Sequence, residues 1–155
     1  MTENIEKFFE DQYKKMVQFD KFLGMELTVV SPGNIHYLLP IKAHHATAPD
    51  SAHGGVCAAM MDATLGVAAL SYAVTLGNLC ATVEFKINYL AQVRPGETLI
   101  STGQISHTGS RLIVSEGKIM EQSSGEMKAV GLGTFSQYPI EKRSTAFNIE
   151  DAPPF

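Results

Sequence analysis

The stretch that decides the fold runs from His53 to Leu76 and reads HGGVCAAMMDATLGVAALSYAVTL. It is too long for one strand and is dense in Ala, Leu and Met, which favours a helix that begins near Gly54 and ends near Gly77. Its apolar residues occupy every side of that helix, so other parts of the fold should cover most of it. The sequence therefore predicts a core helix.

Asp62 is the exception within this apolar stretch. Between His53 and Glu84 no other residue carries a carboxylate, an amine or an imidazole. A buried carboxylate costs on the order of several kcal/mol unless partners or a changed protonation state offset the penalty. One explanation is structural, in which Asp62 caps a loop or pairs with a cation from elsewhere in the chain: Lys86, Arg94 or Arg111.

The other explanation is chemical and starts from the beginning of the same helix. Backbone N–H groups there lack helical acceptors and carry partial positive charge, so Gly54 and Gly55 can polarise a carbonyl oxygen without side-chain obstruction. Asp62 lies eight residues beyond Gly54, which is roughly 12 Å along the helix axis. One carbonyl group cannot touch both, so a shared reaction needs a second copy of the chain. The spacing predicts a dimer with composite sites.

Three features together resemble a known family: the motif HGG at residues 53–55, Asp62 nine residues after its His, and TVEFKINYLAQVRPGE at residues 82–97. They are similar to the hotdog-fold acyl-CoA thioesterases of the phenylacetic-acid-type, PaaI-like branch of the 4HBT superfamily. The resemblance covers about residues 22–137. It implies an α+β hotdog fold in which an antiparallel β-sheet of about six strands wraps around one long central helix.

The resemblance also implies a reaction, the hydrolysis of a coenzyme A thioester to the free acid and CoA. In the family pattern the Gly54 N–H binds the thioester carbonyl, and Asp62 of the facing subunit is the nucleophile or the general base for water. Thr82 then holds that water, although an ordinary strand threonine is the alternative. His53 is either an acid/base or a neutral ring that fixes the glycine turn by a hydrogen bond.

Further substrate-binding residues follow from position. His53 and Gly55 belong to the turn at the thioester, and Met61 is expected in the acyl pocket together with N-terminal aromatic residues. Thr47 stands where the family commonly carries Asn, and a hydroxyl cannot make both hydrogen bonds of an amide. Basic residues are expected near the CoA phosphates. The candidates are Arg94, Arg111 and Lys128, and the alternative for each is a solvated charge at a strand end.

The composition limits which kinds of partner and ligand the protein is expected to bind. Among 155 residues, 12 basic and 16 acidic side chains give a formal charge of −4, which argues against nucleic acid as the main partner. His44 and His45 have no Cys, Asp or Glu at ligand spacing, so they are interpreted as a surface loop pair, and neither a metal nor a cofactor is predicted. Cys57 and Cys80 are interpreted as buried apolar residues.

The start of the chain has no secretory or lipidation pattern, so the cytoplasm is the predicted location and no membrane partner is expected. Residues 53–76 are apolar enough to suggest a membrane span, but their Ala and Gly content and Asp62 favour a soluble core helix. The expected assembly is a homodimer that pairs further into a dimer of dimers.

The remaining sequence predicts one domain over residues 1–138. It comprises an N-terminal helix within residues 1–20, a hairpin, a loop at 42–52, the core helix and four consecutive strands. In the first of those four strands, Val83 and Phe85 should face one way and Thr82 and Glu84 the other. Residues 139–155 are expected to form a flexible tail.

Two other functions stay open at this point. The same fold can hold an acyl-CoA and report on it without hydrolysis. Hotdog dehydratases act on β-hydroxyacyl thioesters, but they resemble a pattern with a catalytic His and a separate acid, which Asp62 at this spacing does not match.

Overall fold

The computed structural model describes residues 3–142. Three α-helices lie in this range: α1 (Glu3–Met16), α2 (Gln18–Leu23) and α3 (Gly54–Ala73). The strands are β1 (Glu26–Ser31), β2 (Asn34–Pro40), β3 (Ala46–Ala48), β4 (Ser51–Ala52), β5 (Asn78–Tyr89), β6 (Thr98–Thr108), β7 (Leu112–Glu121) and β8 (Met127–Pro139).

Six of the strands form one antiparallel sheet in the order β1-β2-β6-β7-β8-β5. Helix α3 packs against β2, β5, β6, β7 and β8, so the sheet wraps around it. This arrangement confirms the α+β hotdog fold expected from the sequence. It also leaves β5 as an edge strand, with one side of its backbone unpaired within the described sheet.

A row of glycines lets α3 lie close to the sheet. Gly103, Gly117 and Gly131 are direct cross-strand neighbours on β6, β7 and β8. A Cβ atom on Gly103 would lie only 2.6 Å from the Thr64 carbonyl oxygen, and one on Gly131 only 2.6 Å from Met61 Sδ. Larger residues in this row would push the helix away, so the glycines set the helix-to-sheet distance.

The apolar character of α3 is explained by burial inside the sheet. Met60, Met61 and Leu65 are fully buried. By length and composition alone, Gly54–Leu76 would be long and apolar enough to cross a membrane. The sheet covers this helix instead, which confirms the prediction of a core helix.

The structure differs from the sequence-based expectation in three local features. The N-terminal helix is interrupted at Val17, whose backbone is extended. The expected loop at 42–52 contains a 3-10 turn at Ala43–His45 and the β3–β4 hairpin. Strand β8 continues to Pro139 and is followed by a 3-10 turn at Ile140–Lys142, while the rest of the expected tail lies outside the described residues.

A bulge in β5 changes which side chains face the helix. Thr82 pairs with Phe135 and Glu84 pairs with Thr134, so Val83 is an extra residue between the two pairs. Val83 is 58% exposed, whereas Thr82 turns toward α3. The strict alternation predicted through this strand was therefore wrong, because the added residue reverses the side-chain order.

Candidate active site

Asp62 lies midway along α3 and faces a cleft of about 320 Å³. Small residues create this space on the helix, while the N-terminal helices and β5 supply the other walls. The lining includes Ala59, Ala63 and Gly66 of α3, Tyr13 and Asp20 from the N-terminal helices, and Thr82 of β5. The carboxylate therefore meets a mostly apolar cavity large enough for part of a small ligand.

Asp62 has few partners in this cleft. Thr82 Oγ1 donates a long hydrogen bond of 3.4 Å to Asp62 Oδ1, and no cation within residues 3–142 forms an ion pair with it. Burial raises the pKa of Asp62, and the Thr82 hydrogen bond offsets only part of that rise. The structural explanation, in which a cation pairs with Asp62, thus lacks its cation in the described part of the chain.

At the start of α3, His53 is the N-cap residue. Its ring Nδ1 accepts a 2.8 Å hydrogen bond from the Gly55 N–H, and its carbonyl accepts a 2.9 Å bond from the Val56 N–H. This is a hydrogen bond of the kind expected of a His53 that fixes the glycine turn. The Gly54 N–H, by contrast, meets no acceptor among the residues described.

The turn before α3 is held from two sides. The His53 N–H donates to the His45 carbonyl at 2.8 Å, and the Ala52 N–H donates to the Val93 carbonyl at 2.8 Å. His45 was expected on the surface, but it is 3% exposed and its Nδ1 accepts from the Lys42 N–H. That expectation was wrong because the 3-10 turn folds the ring inward, where burial lowers its pKa.

Thr47, the residue at the family's Asn position, lies on β3 with an exposed side chain. It is part of the hairpin that leads into α3, so it is near the start of the helix in the chain rather than near Asp62. Its hydroxyl makes no hydrogen bond within residues 3–142. No hydrogen bond to a described residue therefore fixes the direction of this hydroxyl.

Met61 does not lie where it was expected. Its side chain is fully buried and its Sδ packs on Gly117 and Gly131, on a different side of α3 from the Asp62 cleft. The neighbouring position in sequence is thus turned by about 100° around the helix, as the helical period requires. Met61 therefore packs against the glycine row and does not line the Asp62 cleft, and its place in an acyl pocket stays a prediction.

Lys128 is not a solvated charge at a strand end, which was the alternative to phosphate binding. The residue is 1% exposed, and its Nζ donates to the Gln92 carbonyl at 2.8 Å, to Glu97 at 3.1 Å and to Glu126 at 2.6 Å. Burial alone would lower its pKa, but the two carboxylates raise it. Lys128 therefore ties the β5–β6 connection to the start of β8 and is closed to a phosphate.

Arg94 and Arg111 are both exposed, but one protomer does not bring them together. Arg94 follows β5 beyond Tyr89, which pairs with Ala129 at the start of β8. Arg111 precedes Leu112, which pairs with Ser136 near the end of β8. Ala129 and Ser136 are seven residues apart along β8, so the two arginines lie on the order of 20–25 Å from each other along the strand direction.

Two residues that the sequence did not single out contribute to this region. Asp20 lines the Asp62 cleft, is 6% exposed, and accepts a 2.5 Å hydrogen bond from the Tyr37 hydroxyl. Burial raises the pKa of Asp20, and the nearby Asp62 charge raises it further. Tyr37 alternates with the buried Ile35 and Leu39, and a hydroxyl on that inward face requires a partner. This alternation is the signal from which a buried polar partner for Tyr37, here Asp20, could have been expected.

The second missed residue is Tyr89, the last residue of β5. Its hydroxyl donates a 3.1 Å hydrogen bond to the Gly54 carbonyl. No local pattern connects residues 35 positions apart, so only the folded chain shows this contact.

The two thiols are poor nucleophiles in this environment. Cys57 is buried and Cys80 is half-buried, and both are free. Burial raises the pKa of Cys57 to about 11 and that of Cys80 to about 12. Both groups are thus protonated near neutral pH, so neither is a ready nucleophile.

Residues 50–128, about half of the chain, match the model of the family described as the thioesterase superfamily. The chain therefore belongs to the thioesterase superfamily, and its class of activity is thioester hydrolysis.

Individual proteins agree with this family. A protein of Saccharolobus solfataricus named as an esterase is 29% identical over 129 residues, which cover 83% of this chain and 89% of that protein. Human acyl-coenzyme A thioesterase 13 is 24% identical over 136 residues, or 86% and 94% of the two chains. The E. coli PaaI protein from the phenylacetic acid degradation operon superposes with a TM-score of 0.79 at 20% identity and covers 88% and 95%.

Proposed function

We propose that the chain hydrolyses acyl-CoA thioesters at sites shared between two subunits. The observation that carries the proposal is Asp62, a half-buried carboxylate without an ion-pair partner in the described chain, which faces an apolar cleft. A carboxylate in such a place is costly for the fold and useful for chemistry. The curated relative named as an acyl-coenzyme A thioesterase supports CoA as the carrier of the acyl group.

The chemistry follows from two groups on α3. The Gly54 N–H has no hydrogen-bond acceptor among the described residues, so it is free to donate to the thioester oxygen, where negative charge develops. Asp62 either attacks the carbonyl carbon or removes a proton from water that attacks it. The C–S bond then breaks, and the CoA thiolate leaves and takes up a proton. If water attacked, the free acid forms in this step; if Asp62 attacked, the acyl group remains bonded to Asp62 as a mixed anhydride, and a water molecule must hydrolyse that anhydride to release the acid and restore the carboxylate. Thr82 supports the water or the carboxylate through its hydroxyl.

Distance along the helix favours a composite site. The Gly54 N–H and Asp62 lie eight residues apart on one rigid helix, or roughly 12 Å. In a symmetric dimer whose two α3 helices run past one another in opposite senses, each Gly54 meets the other subunit's Asp62.

The edge of the sheet offers the surface for such a dimer. Strand β5 is unpaired on one side within the described sheet, and the exposed apolar residues Val83, Tyr89 and Leu90 lie on it or directly after it. An open apolar edge pairs readily with a second copy. Leu112 and Leu132 are exposed elsewhere on the sheet and are the surface we propose for a further pairing of dimers.

The same dimer explains the separation of the two arginines. Arg94 lies beside the start of α3, because Val93 accepts the hydrogen bond from Ala52. Arg111 lies at the other end of the sheet, near the level of Thr82. A site that joins Gly54 of one subunit to Asp62 of the other brings Arg94 of the first near Arg111 of the second. Both are then placed for the phosphates of CoA.

The alternative function is acyl-CoA binding without hydrolysis. Thr47 favours it, because this exposed hydroxyl replaces an amide in the loop and makes no internal hydrogen bond within residues 3–142. Release of free thiol from a panel of acyl-CoAs, measured beside equilibrium binding of the same compounds, separates the two functions. Turnover supports the hydrolase, whereas tight binding without thiol release supports the binder and contradicts the proposal.

A matched pair of variants at Gly54 tests the oxyanion donor. Gly54 is the first helical residue, where proline is tolerated, and His53 already has the extended backbone that precedes a proline. Gly54→Pro therefore removes the N–H and should lower kcat roughly 10²- to 10³-fold. Gly54→Ala keeps the N–H, and its Cβ would make ordinary contacts of 3.7 Å with Tyr89, so most activity should remain. Equal loss in both variants would contradict the assigned role.

A further inference from the structure

The peptide group between Gly54 and Gly55 is held at both of its polar atoms. Its N–H donates to His53 Nδ1 at 2.8 Å, and its carbonyl accepts from the Tyr89 hydroxyl at 3.1 Å. The preceding peptide, which carries the Gly54 N–H, has its carbonyl bonded to the Val56 N–H at 2.9 Å. Among these polar atoms, the Gly54 N–H alone points to no described acceptor.

A pair of glycines at a helix start needs such support from outside. Glycine has the largest freedom of φ and ψ, and the first turn of a helix frays most easily. An oxyanion donor stabilises a transition state only if it is already in place, because reorientation during the reaction consumes the gain. With no side chain of their own, Gly54 and Gly55 depend on neighbouring groups for this preorganisation.

Tyr89 is well placed to give that support. Its ring atoms lie 3.7 Å from the position that a Cβ on Gly54 would occupy, so the ring covers the glycine as well as bonding its carbonyl. The backbone of Tyr89 pairs with Ala129, and the next residue, Leu90, donates to the Lys128 carbonyl at 2.8 Å. Lys128 is itself fixed by three hydrogen bonds. The hydroxyl thus extends from a firmly anchored strand end.

We propose that Tyr89 is a positioning residue for the oxyanion donor, whose hydroxyl holds the Gly54–Gly55 peptide so that the Gly54 N–H stays directed at the substrate carbonyl. The proposal rests on the proposed function of Gly54. Tyr89 acts through the backbone and leaves the reacting atoms to Gly54 and Asp62, so it should affect kcat and leave substrate affinity nearly unchanged.

The variant Tyr89→Phe removes only the hydroxyl and keeps the ring over Gly54. The loss of one hydrogen bond that fixes the donor should lower kcat about fivefold to tenfold, with KM within about twofold of wild type. Tyr138→Phe is the matched control, since Tyr138 lies at the other end of the β5–β8 pair, opposite Leu79. It should leave both constants unchanged.

A second measurement tests whether Tyr89 holds the Gly54–Gly55 peptide without relying on catalytic activity. Amide order parameters of Gly54 and Gly55, from ¹⁵N relaxation of glycine-labelled protein, should fall in Tyr89→Phe from a rigid value of about 0.85 toward about 0.6, and stay unchanged in Tyr138→Phe.

The outcomes separate the two proposals. A normal kcat with unchanged order parameters overturns the role of Tyr89, as does a raised KM at normal kcat, which would show direct contact with substrate. If wild-type protein releases no thiol, the proposed hydrolase function fails, and the order parameters alone then decide whether Tyr89 fixes the peptide.

Discussion

Asp62 and Lys128 are both charged groups withdrawn from solvent, yet their surroundings differ. Lys128 Nζ has three acceptors, two of them carboxylates. Asp62 has one long hydrogen bond from Thr82 and no ion pair within residues 3–142. A buried charge with a full set of partners joins parts of the fold, whereas the lack of such partners is what supports the proposed chemical role of Asp62. The comparison predicts opposite consequences of removing each charge.

The largest effect is expected on activity from Asp62→Asn. The amide has the same shape but neither attacks a thioester nor accepts a proton from water, so thiol release should fall by about 10³-fold or more. The free energy of unfolding at neutral pH should not decrease by more than about 0.5 kcal/mol, and we expect an increase, because an unpaired buried charge is removed. Steady-state thiol release and urea unfolding measure the two quantities.

Asp11→Asn is the matched control for this variant. Asp11 is exposed on α1, so the same exchange there should change neither quantity. An Asp62→Asn protein that unfolds much more easily would show that Asp62 has a stabilising partner and would end its contrast with Lys128.

The reverse result is expected at Lys128. In Lys128→Met the aliphatic part of the side chain remains, while the Glu97 and Glu126 carboxylates lose their shared cation. Both carboxylates reach solvent, so we expect a loss of about 2–3 kcal/mol in the free energy of unfolding rather than the larger cost of a fully buried pair. kcat per folded molecule should stay within about threefold of wild type, because the substitution removes no reacting group.

Lys118→Met provides the comparison on the same sheet. Lys118 is exposed on β7, and its substitution should change stability by less than about 0.5 kcal/mol. Equal stability of the Lys128 and Lys118 variants would contradict the structural role given to the buried lysine.

The pH dependence of thiol release and of stability should both reflect the lack of a cationic partner at Asp62. Because burial raises the pKa of Asp62 above its ordinary value of 3.8, thiol release should decline as pH falls through that raised pKa. Stability moves the other way: a carboxyl group with a raised pKa in the folded state binds its proton more readily there, so it destabilises the fold once ionised. The stability advantage of Asp62→Asn over wild type should therefore shrink between neutral and mildly acidic pH. An unchanged difference across that range contradicts the raised pKa.

The smallest effect is expected at Thr82. In Thr82→Val the hydroxyl that lowers the pKa of Asp62 is lost, so the acidic limit of activity should move to higher pH. We expect kcat at neutral pH to fall about fivefold to tenfold, which corresponds to one hydrogen bond. Thr82→Ser keeps the hydroxyl and should retain the wild-type profile. Identical profiles in all three proteins would make Thr82 an ordinary strand threonine.

Much of the fold could be predicted from local patterns. The dense apolar run at 53–76 and the turn-bounded segments predicted the core helix and the main strands, because these signals lie within each segment. The core helix ends at Ala73, before the expected end near Gly77, and α2, β3 and β4 were not predicted. The bulge at Val83 could not be predicted, since it depends on how β5 pairs with β8. It is this bulge that turns Thr82 toward Asp62.

Some residues of the candidate site could be singled out from the sequence, and others could not. Asp62 and the glycines stood out by their contrast with neighbouring residues in the sequence. Apart from Glu126, which is two residues from Lys128, the partners of Lys128, Asp20 and Tyr89 come from 17 to 36 positions away, so only the folded chain shows them. The catalytic and substrate-binding roles all remain predictions, including those of Asp62, Gly54 and Thr82.

The central claim is that two subunits share each site, and complementation tests it most directly. Asp62→Asn chains and Gly54→Pro chains, each nearly inactive alone, are mixed and allowed to exchange subunits. In the heterodimer one site combines an intact Gly54 with an intact Asp62, so an equal random mixture should recover about a quarter of wild-type thiol release. Heterodimers that form, as shown by mass spectrometry, but recover no activity would contradict the shared site.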